Sequence, residues 1–391
     1  MKTDNLRCID LICKNLCAVD QDALEQMYAA LYPDTKTGTF IDGQIGGRSL
    51  QAVKIGFNRM AYMLPEISIY GAGDSLSPGR NINEKIVNLG KACEKVNYFG
   101  VSGSGQSTEI IGNIEQLETL SNQDKLTLNV ITSYPDSSMG KLLQEYGGNI
   151  LVIKGRKSKE TLNSEYIKEG LLEDLFELAC VEATSIIARG ILEKIEPTKF
   201  YNYYLNTLDE LQELKNNIYE IKDTPVYDEF LEHLSNPALR FLSFGQSVSN
   251  EVVKMNNNRL SHVRPLTAGL IGLEPNIGLG IGANRNNVVG ESSTKNPDKN
   301  TTFLAVSKSG VGIAEKNLKD ASDAGAQSFL LTKNGEWENK FVLDTNNFYA
   351  AACLFLSSCL MDVGEILVKE GIEVNNYVLS ALHINDKTSK Q

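Results

Sequence analysis

Apolar residues along this chain follow two alternating rhythms. Short, nearly continuous apolar runs, such as Tyr98-Phe99-Gly100-Val101, give way to stretches in which apolar positions recur at helical spacing. The alternation predicts strands near 39–43, 66–71, 96–101, 127–132 and 149–153. Helices are predicted near 49–63, 82–94, 107–120 and 137–146, with a long one near 172–195. Strands alternating with amphipathic helices imply an α/β fold whose parallel sheet is covered on both faces. Pro197 follows the long helix and is expected to close the first domain. Beyond it, Leu205, Leu208, Leu211, Leu214, Ile218 and Ile221 keep a helical period, which predicts one connecting helix over 200–222. The stretch 265–300, rich in glycine and asparagine, is expected to be an irregular loop, and 386–391 a frayed tail.

The pattern then repeats. Gly43-Gln44 closes one apolar run and Gly245-Gln246 closes another, 202 positions later. Ser102-Gly103-Ser104-Gly105 follows its strand as Ser307-Lys308-Ser309-Gly310 follows Phe303-Leu304-Ala305-Val306, 205 positions on. Val130-Ile131-Thr132 matches Leu330-Leu331-Thr332 at an offset of 200. Three nearly constant offsets in one order point to a duplicated domain. The expected organisation is a helical extension over 1–38, a first domain over 39–197, a helical connector over 198–235, and a diverged second domain with its tail over 236–391.

Composition narrows the partners. The 391 residues suit two medium domains or one large one. Lys and Arg number 38 against 49 Asp and Glu, and the net charge of −11 argues against a nucleic-acid partner. A small anion held by backbone N–H groups stays compatible with that charge. Met1-Lys2-Thr3-Asp4 lacks the pattern of a signal peptide, and the apolar stretch Tyr349 to Met361 is short and carries Ser357 and Ser358. A cytoplasmic location without a membrane partner is therefore expected. Seven cysteines without a CxxC pair, and only His233, His262 and His383, are poor material for a zinc site. Buried, reduced thiols and no metal are expected.

The loop Ser102-Gly103-Ser104-Gly105-Gln106-Ser107-Thr108 lies between a buried strand and a helix, where open α/β sheets bind ligands. Its glycines allow a tight turn, the helix start supplies unpaired N–H groups, and the hydroxyls add donors without charge. Such a loop suits a phosphate. It lacks the Lys-Ser or Lys-Thr of a Walker loop and sits in the wrong strand-to-helix turn for a dinucleotide fingerprint.

Those residues resemble the S-x-S-G-x-T phosphate loop of the sugar isomerase (SIS) domain family, with Ser107 in place of the usual threonine. Ile131-Thr132-Ser133-Tyr134-Pro135-Asp136-Ser137 is similar to the family's ITSNPDS segment, and Gly46-Gly47-Arg48-Ser49 to its GxGRS opening motif. Leu175-Phe176-Glu177 resembles the LFE helix of 6-phospho-3-hexuloisomerases. The resemblance runs in order over about 39–195, with 236–372 as a diverged copy. It implies a double-SIS layout, as in the isomerase part of glucosamine-6-phosphate synthase: two flavodoxin-like three-layer αβα sandwiches with parallel five-stranded sheets. It also implies a phosphorylated sugar as ligand, no cofactor, and sites where two such domains meet, in a homodimer or in a pseudo-dimer within one chain.

The chemistry implied is aldose–ketose isomerisation through a cis-enediolate, with Glu177 at the family's base position. Glu109 and Glu182 are weaker candidates without a motif match. Ser102 to Thr108 are the implied phosphate ligands; Gly47, Arg48, Ser49, Thr132 and Ser133 are implied sugar contacts. Ser75, in Gly71-Ala72-Gly73-Asp74-Ser75, is a further candidate contact, and Arg48 and Arg80 are candidates to assist the phosphate.

The copies differ in what they keep. In the second, Gly312 stands where the loop's hydroxyl residue belongs, and Tyr349-Ala350-Ala351 replaces Phe176-Glu177-Leu178. The second copy has Arg259-Leu260-Ser261-His262 where the first has Arg59-Met60-Ala61-Tyr62. The related hexuloisomerase helix ends in a similar Arg-x-x-His, so His262 is expected to complete the site by assisting ring opening. Two other readings stay open: an amino-sugar phosphate isomerase, deaminase or deglycase using a lysine such as Lys254 or Lys308, and a non-catalytic regulator that senses a sugar phosphate.

Overall fold

Parallel strands need cover on both faces, and β1 (Thr37–Asp42) has all six of its residues buried. The computed structural model describes residues 6–43, 48–72, 79–121, 125–155, 175–236, 238–263, 279–281 and 297–370. They fall into two compact units. One takes in the described residues between 11 and 210, the other residues 6–10 and those from 211 onward.

In the N-terminal unit β1 is joined by β2 (Ile67–Gly71), β3 (Lys95–Val101), β4 (Leu126–Thr132) and β5 (Asn149–Val152) in the order β2-β1-β3-β4-β5. Every pairing is parallel. This is the doubly wound flavodoxin order, whose direction of travel reverses between β1 and β3. The helices are α1 (Arg7–Cys17), α2 (Gln21–Leu31), α3 (Arg48–Met63), α4 (Ile82–Ala92), α5 (Thr108–Ser121), α6 (Ser138–Glu145), α7 (Leu175–Leu192) and α8 (Pro197–Leu208). All of α7 except Arg189 and Leu192 is buried, as expected of a helix that is apolar on every side. It lies against α3, where a Cβ on Gly56 would fall 2.3 Å from Thr184 Oγ1. Pro197 is the first residue of α8, a position that needs no N–H donor. Phe200 of that helix stacks on Tyr28 of α2 with ring centroids 3.7 Å apart.

The C-terminal unit holds α9 (Glu210–Lys222), α10 (Pro225–Ser235), β6 (Arg240–Gly245), α11 (Val248–Val263), β7 (Leu279–Ile281) and β8 (Thr301–Val306). After them come α12 (Ile313–Asp323), β9 (Gln327–Thr332), β10 (Lys340–Val342) and α13 (Phe348–Lys369). Its sheet order, β10-β9-β8-β6-β7, is again the flavodoxin order, and its pairings are again parallel. Leu242, Phe303, Ala314, Leu318 and Leu330 pack α12 onto one face. Phe230, Phe329, Phe341 and Phe355 form an aromatic cluster with Tyr227. Within the cover of this unit Lys222 Nζ meets Asp362 Oδ2 at 2.8 Å, and Tyr227 donates its hydroxyl to the same oxygen at 2.5 Å.

Three elements differ from the pattern read in the sequence. The helix expected over 200–222 is broken by a turn at Asp209, although the apolar period runs through it. Leu208 belongs to one unit and Leu211 to the other, and Glu210 is drawn to Arg189 of α7 at 2.7 Å, so the two helix segments serve different cores. The stretch 265–300 is not wholly irregular, because Leu279–Ile281 pairs with Leu242–Phe244 as an edge strand. Alternating glycines in Gly278-Leu279-Gly280-Ile281-Gly282 dilute strand propensity and hide it. The apolar stretch of α13 also runs further than Tyr349–Met361. Phe348–Leu367 is long and apolar enough to cross a membrane by length and composition, yet 83% of it is buried, as in a core helix. None of the seven cysteines is in a disulfide; five are buried, Cys13 is half-buried and Cys17 is exposed.

Candidate functional site

All strands of a parallel sheet end at the same edge, and the serine-glycine loop of the N-terminal unit lies there. β3 ends at Val101 and the chain turns through 102–107 before α5 begins. Gly105 makes the turn at φ +63°, a left-handed conformation that favours glycine. Its N–H donates to the Ser102 carbonyl at 3.1 Å and to Ser102 Oγ at 3.2 Å. The N–H of Gln106 reaches Ser104 Oγ at 3.4 Å.

The following strand holds this turn in place. The N–H of Ser133 donates to the Gly103 carbonyl at 3.2 Å and that of Met139 to the Gly105 carbonyl at 3.0 Å. Ser138 Oγ donates to Gln106 Oε1 at 2.8 Å. A Cβ on Gly105 would lie 2.0 Å from Ser137 Oγ, so no larger residue fits without moving that turn. The carbonyls of Ser102, Gly103 and Gly105 are thus tied to protein. Among the described residues, the N–H groups of Gly103, Ser104, Ser107 and Thr108 make no hydrogen bond. With the start of α5 beside them, these donors can hold an anion. Ser102, Ser104 and Ser107 are half-buried, whereas Thr108 is exposed.

Two of the expected sugar contacts serve the scaffold. Ser133 Oγ donates to the Ile153 carbonyl at 2.7 Å, and buried Thr132 accepts from the N–H of Tyr134 at 3.3 Å. They link β4 to the end of β5 and shape the turn behind the loop.

Glu177 lies in the first turn of α7 and is 2% exposed. Ser49, in the first turn of α3, donates its hydroxyl to Glu177 Oε1 at 3.2 Å. The Ser49–Glu177 and Gly56–Thr184 contacts have the same spacing along both chains, so α3 and α7 run parallel and both begin at the strand ends. Gly155, at φ +141° after β5, fits close beside the start of α7, where a Cβ would meet Phe176 N at 2.7 Å. A buried carboxylate that accepts from the Ser49 hydroxyl, on the edge that carries the serine-glycine loop, can serve as a base toward a bound polar ligand. Arg48 is half-buried at the start of α3. Arg80 is exposed, and its backbone N–H donates to Glu84 Oε2 at 3.0 Å. Gly47 and Ser75 lie outside the described residues, as does the side chain of His262, whose backbone belongs to α11. Glu182 is 2% exposed within α7, and Lys254 pairs with Glu251 at 3.2 Å.

Sequence reasoning missed one polar cluster at this edge. Asp42, the last residue of β1, is 1% exposed and accepts at Oδ2 from Tyr98 at 2.5 Å and Asn113 at 2.7 Å. Burial pushes its carboxyl above the usual range, against those two hydrogen bonds. Burial and the charge of Asp42 push Glu109 up as well, with Lys85 opposing. Asp42 closes a strand at the β1–β3 switch point, and that position was the available signal.

No family model matches this chain, and no curated protein matches it. Solved structures do share its fold. The C-terminal domain of glucosamine-fructose-6-phosphate aminotransferase from Francisella tularensis superposes with a TM-score of 0.58 at 13% identity, over 95% of this chain and 96% of that one. Tagatose-6-phosphate ketose/aldose isomerase from Escherichia coli superposes with a TM-score of 0.56 at 12% identity, over 95% of each chain.

Proposed function

We propose that the N-terminal unit is the site of a phosphosugar aldose–ketose isomerase. The observation that carries this reading is the buried Glu177 carboxylate, hydrogen-bonded by Ser49 at the strand edge that bears the serine-glycine loop. The names of the two fold neighbours, one of them a ketose/aldose isomerase, agree with it. The duplicated sequence pattern and the strand order common to both sheets support a double-SIS layout.

In this reading the N–H groups and hydroxyls of 102–108 hold the phosphate, and α5 adds the positive end of its dipole. Glu177 takes the proton from the carbon beside the sugar carbonyl, and the electron pair left behind forms the cis-enediolate. The hydroxyl proton on that carbon passes to the former carbonyl oxygen, and the same carboxyl returns its own proton to the former carbonyl carbon, so atoms and charge balance with no cofactor. Ser49 holds the carboxylate in position, and Arg48 offsets charge on the substrate. The protein works in the cytoplasm without nucleic acid or membrane.

A thermal-shift panel of hexose, hexulose, pentose and amino-sugar phosphates tests the reading. Stabilisation by at least one phosphosugar, reduced in Ser104→Asp and kept in Glu177→Gln, is the expected result. Stabilisation by none of them would overturn it.

A further inference from the structure

The loop at 307–312 lost the sequence marks of a phosphate site but kept the backbone of one. Gly310 turns at φ +68°, against +63° for Gly105. Its N–H donates to Ser307 Oγ at 3.1 Å, as that of Gly105 does to Ser102 Oγ at 3.2 Å. The N–H of Ser307 bonds the Leu331 carbonyl at 3.0 Å, as that of Ser102 bonds Ile131 at 3.1 Å. The N–H of Lys333 holds the Lys308 carbonyl at 3.1 Å, as that of Ser133 holds Gly103 at 3.2 Å. Gly312 then starts α12 at φ +69° with no side chain capping the helix.

Wholly within the C-terminal unit, this loop borders a cavity of about 340 Å³, inside the size range of small-molecule sites. Ser247, Ser307, Lys308, Ser309 and Asn334 line it, with Phe244 and Tyr349 on its apolar side. Ser249 lines it too. That residue is 4% exposed, and its hydroxyl makes no hydrogen bond among the described residues. Ser249 is the second residue of α11, as Ser49 is of α3. Ser49 spends its hydroxyl on Glu177, whereas the residue in the place of Glu177 in this unit is Ala350. The unit has therefore lost a base, and the serine that would hold that base is a donor toward the cavity. Lys308 adds a cation where the first loop has Gly103.

We infer that the C-terminal unit is a second phosphate-ester site, which binds a small phosphorylated polyol through 307–312 and Ser249 without turning it over. The inference extends the reading of the first loop, and the test separates the two.

The full chain is titrated calorimetrically with inorganic phosphate, with chloride as the control, in the wild type and in Ser309→Asp, Lys308→Gln and Ser104→Asp. Two binding components are expected. Ser309→Asp removes one and leaves the other, and Lys308→Gln weakens that same component by about tenfold, or about 1.4 kcal/mol. Lys308→Gln introduces no repulsive charge, so it decides the matter should Ser309→Asp lower the melting temperature. Heats in both variants equal to the wild type would overturn the inference, as would loss of all binding in Ser104→Asp alone. A single component that depends on Ser309 and not on Ser104 would uphold it while removing the reading of the first loop.

Discussion

The two serine-glycine loops of this protein share three hydrogen bonds of their turns and have unlike neighbours. In the unit with 102–107 the starts of α3 and α7 carry a serine and a buried glutamate in contact; in the unit with 307–312 the starts of α11 and α13 carry a serine and an alanine. The turn itself rests on one glycine in the left-handed region and on N–H donors from the next strand's turn, so it tolerates replacement of most of its side chains. A proton-transfer site depends on one carboxylate and disappears with one substitution. Binding geometry and catalytic chemistry are therefore separable in this fold, and they part company between the two units.

The largest expected effect is on turnover. Glu177→Gln keeps the shape and the hydrogen bond from Ser49 but cannot take a proton, so kcat should fall by about 10²–10⁴-fold with KM little changed. Steady-state assays check this, and an equal fall in kcat for Ala350→Ser would dissolve the contrast between the units.

Stability comes next. The C-terminal unit buries the Lys222–Asp362 pair with Tyr227, whereas Arg189 and Glu210 of the N-terminal unit form an ion pair open to solvent on the glutamate side. Asp362→Ala strands a buried ammonium and should cost about 3–5 kcal/mol in chemical denaturation. Glu210→Ala should cost about 1 kcal/mol or less.

The loop glycines offer a smaller, graded comparison. A Cβ on Gly310 would lie 2.5 Å from the backbone of Gly335, which cannot swing aside, while one on Gly312 meets nothing within 4 Å. Gly312, at φ +69° and ψ −123°, lies outside the left-handed helical well. Gly312→Ala should therefore cost about 1–3 kcal/mol from backbone strain alone. Gly310→Ala should add its clash with Gly335 to its own positive-φ penalty. Equal midpoints for the two in urea would show that the second loop has lost its tight turn.

The smallest effect is in pH. Burial holds the Asp42 carboxyl above its ordinary range, so the folded protein keeps that proton after the unfolded chain has released it. The stability this group contributes therefore falls as pH rises from the ordinary carboxylate range through its raised folded value. Wild-type stability should decline relative to Asp42→Asn over that window. A flat difference between the two would mean that Asp42 is ionised at no cost.

Much of this is legible in the sequence itself. The five strands of the N-terminal sheet start and end within two residues of the positions read from apolar runs, because a strand buried on both faces leaves a continuous signal. Ser49 and Glu177 were each singled out, but their contact joins residues 128 positions apart, and only the packing of α3 on α7 creates it. Ser133 has the type and place of a ligand, and the bond its hydroxyl donates to the Ile153 carbonyl is one only the fold reveals. Asp42 was passed over because its partners, Tyr98 and Asn113, come from another strand and a helix. The turn at Asp209 left no mark because the apolar period continues through it.

The central claim is that Glu177 moves a proton between adjacent carbons of a phosphosugar held at 102–108. Incubating the protein in D₂O with the phosphosugar that stabilises it most, and following the sugar carbons by NMR, tests this directly. The account predicts deuterium at the carbon that receives the returned proton, and none with Glu177→Gln although that variant still binds the sugar. Exchange in Glu177→Gln at the wild-type rate, or no exchange in the wild type, would contradict it.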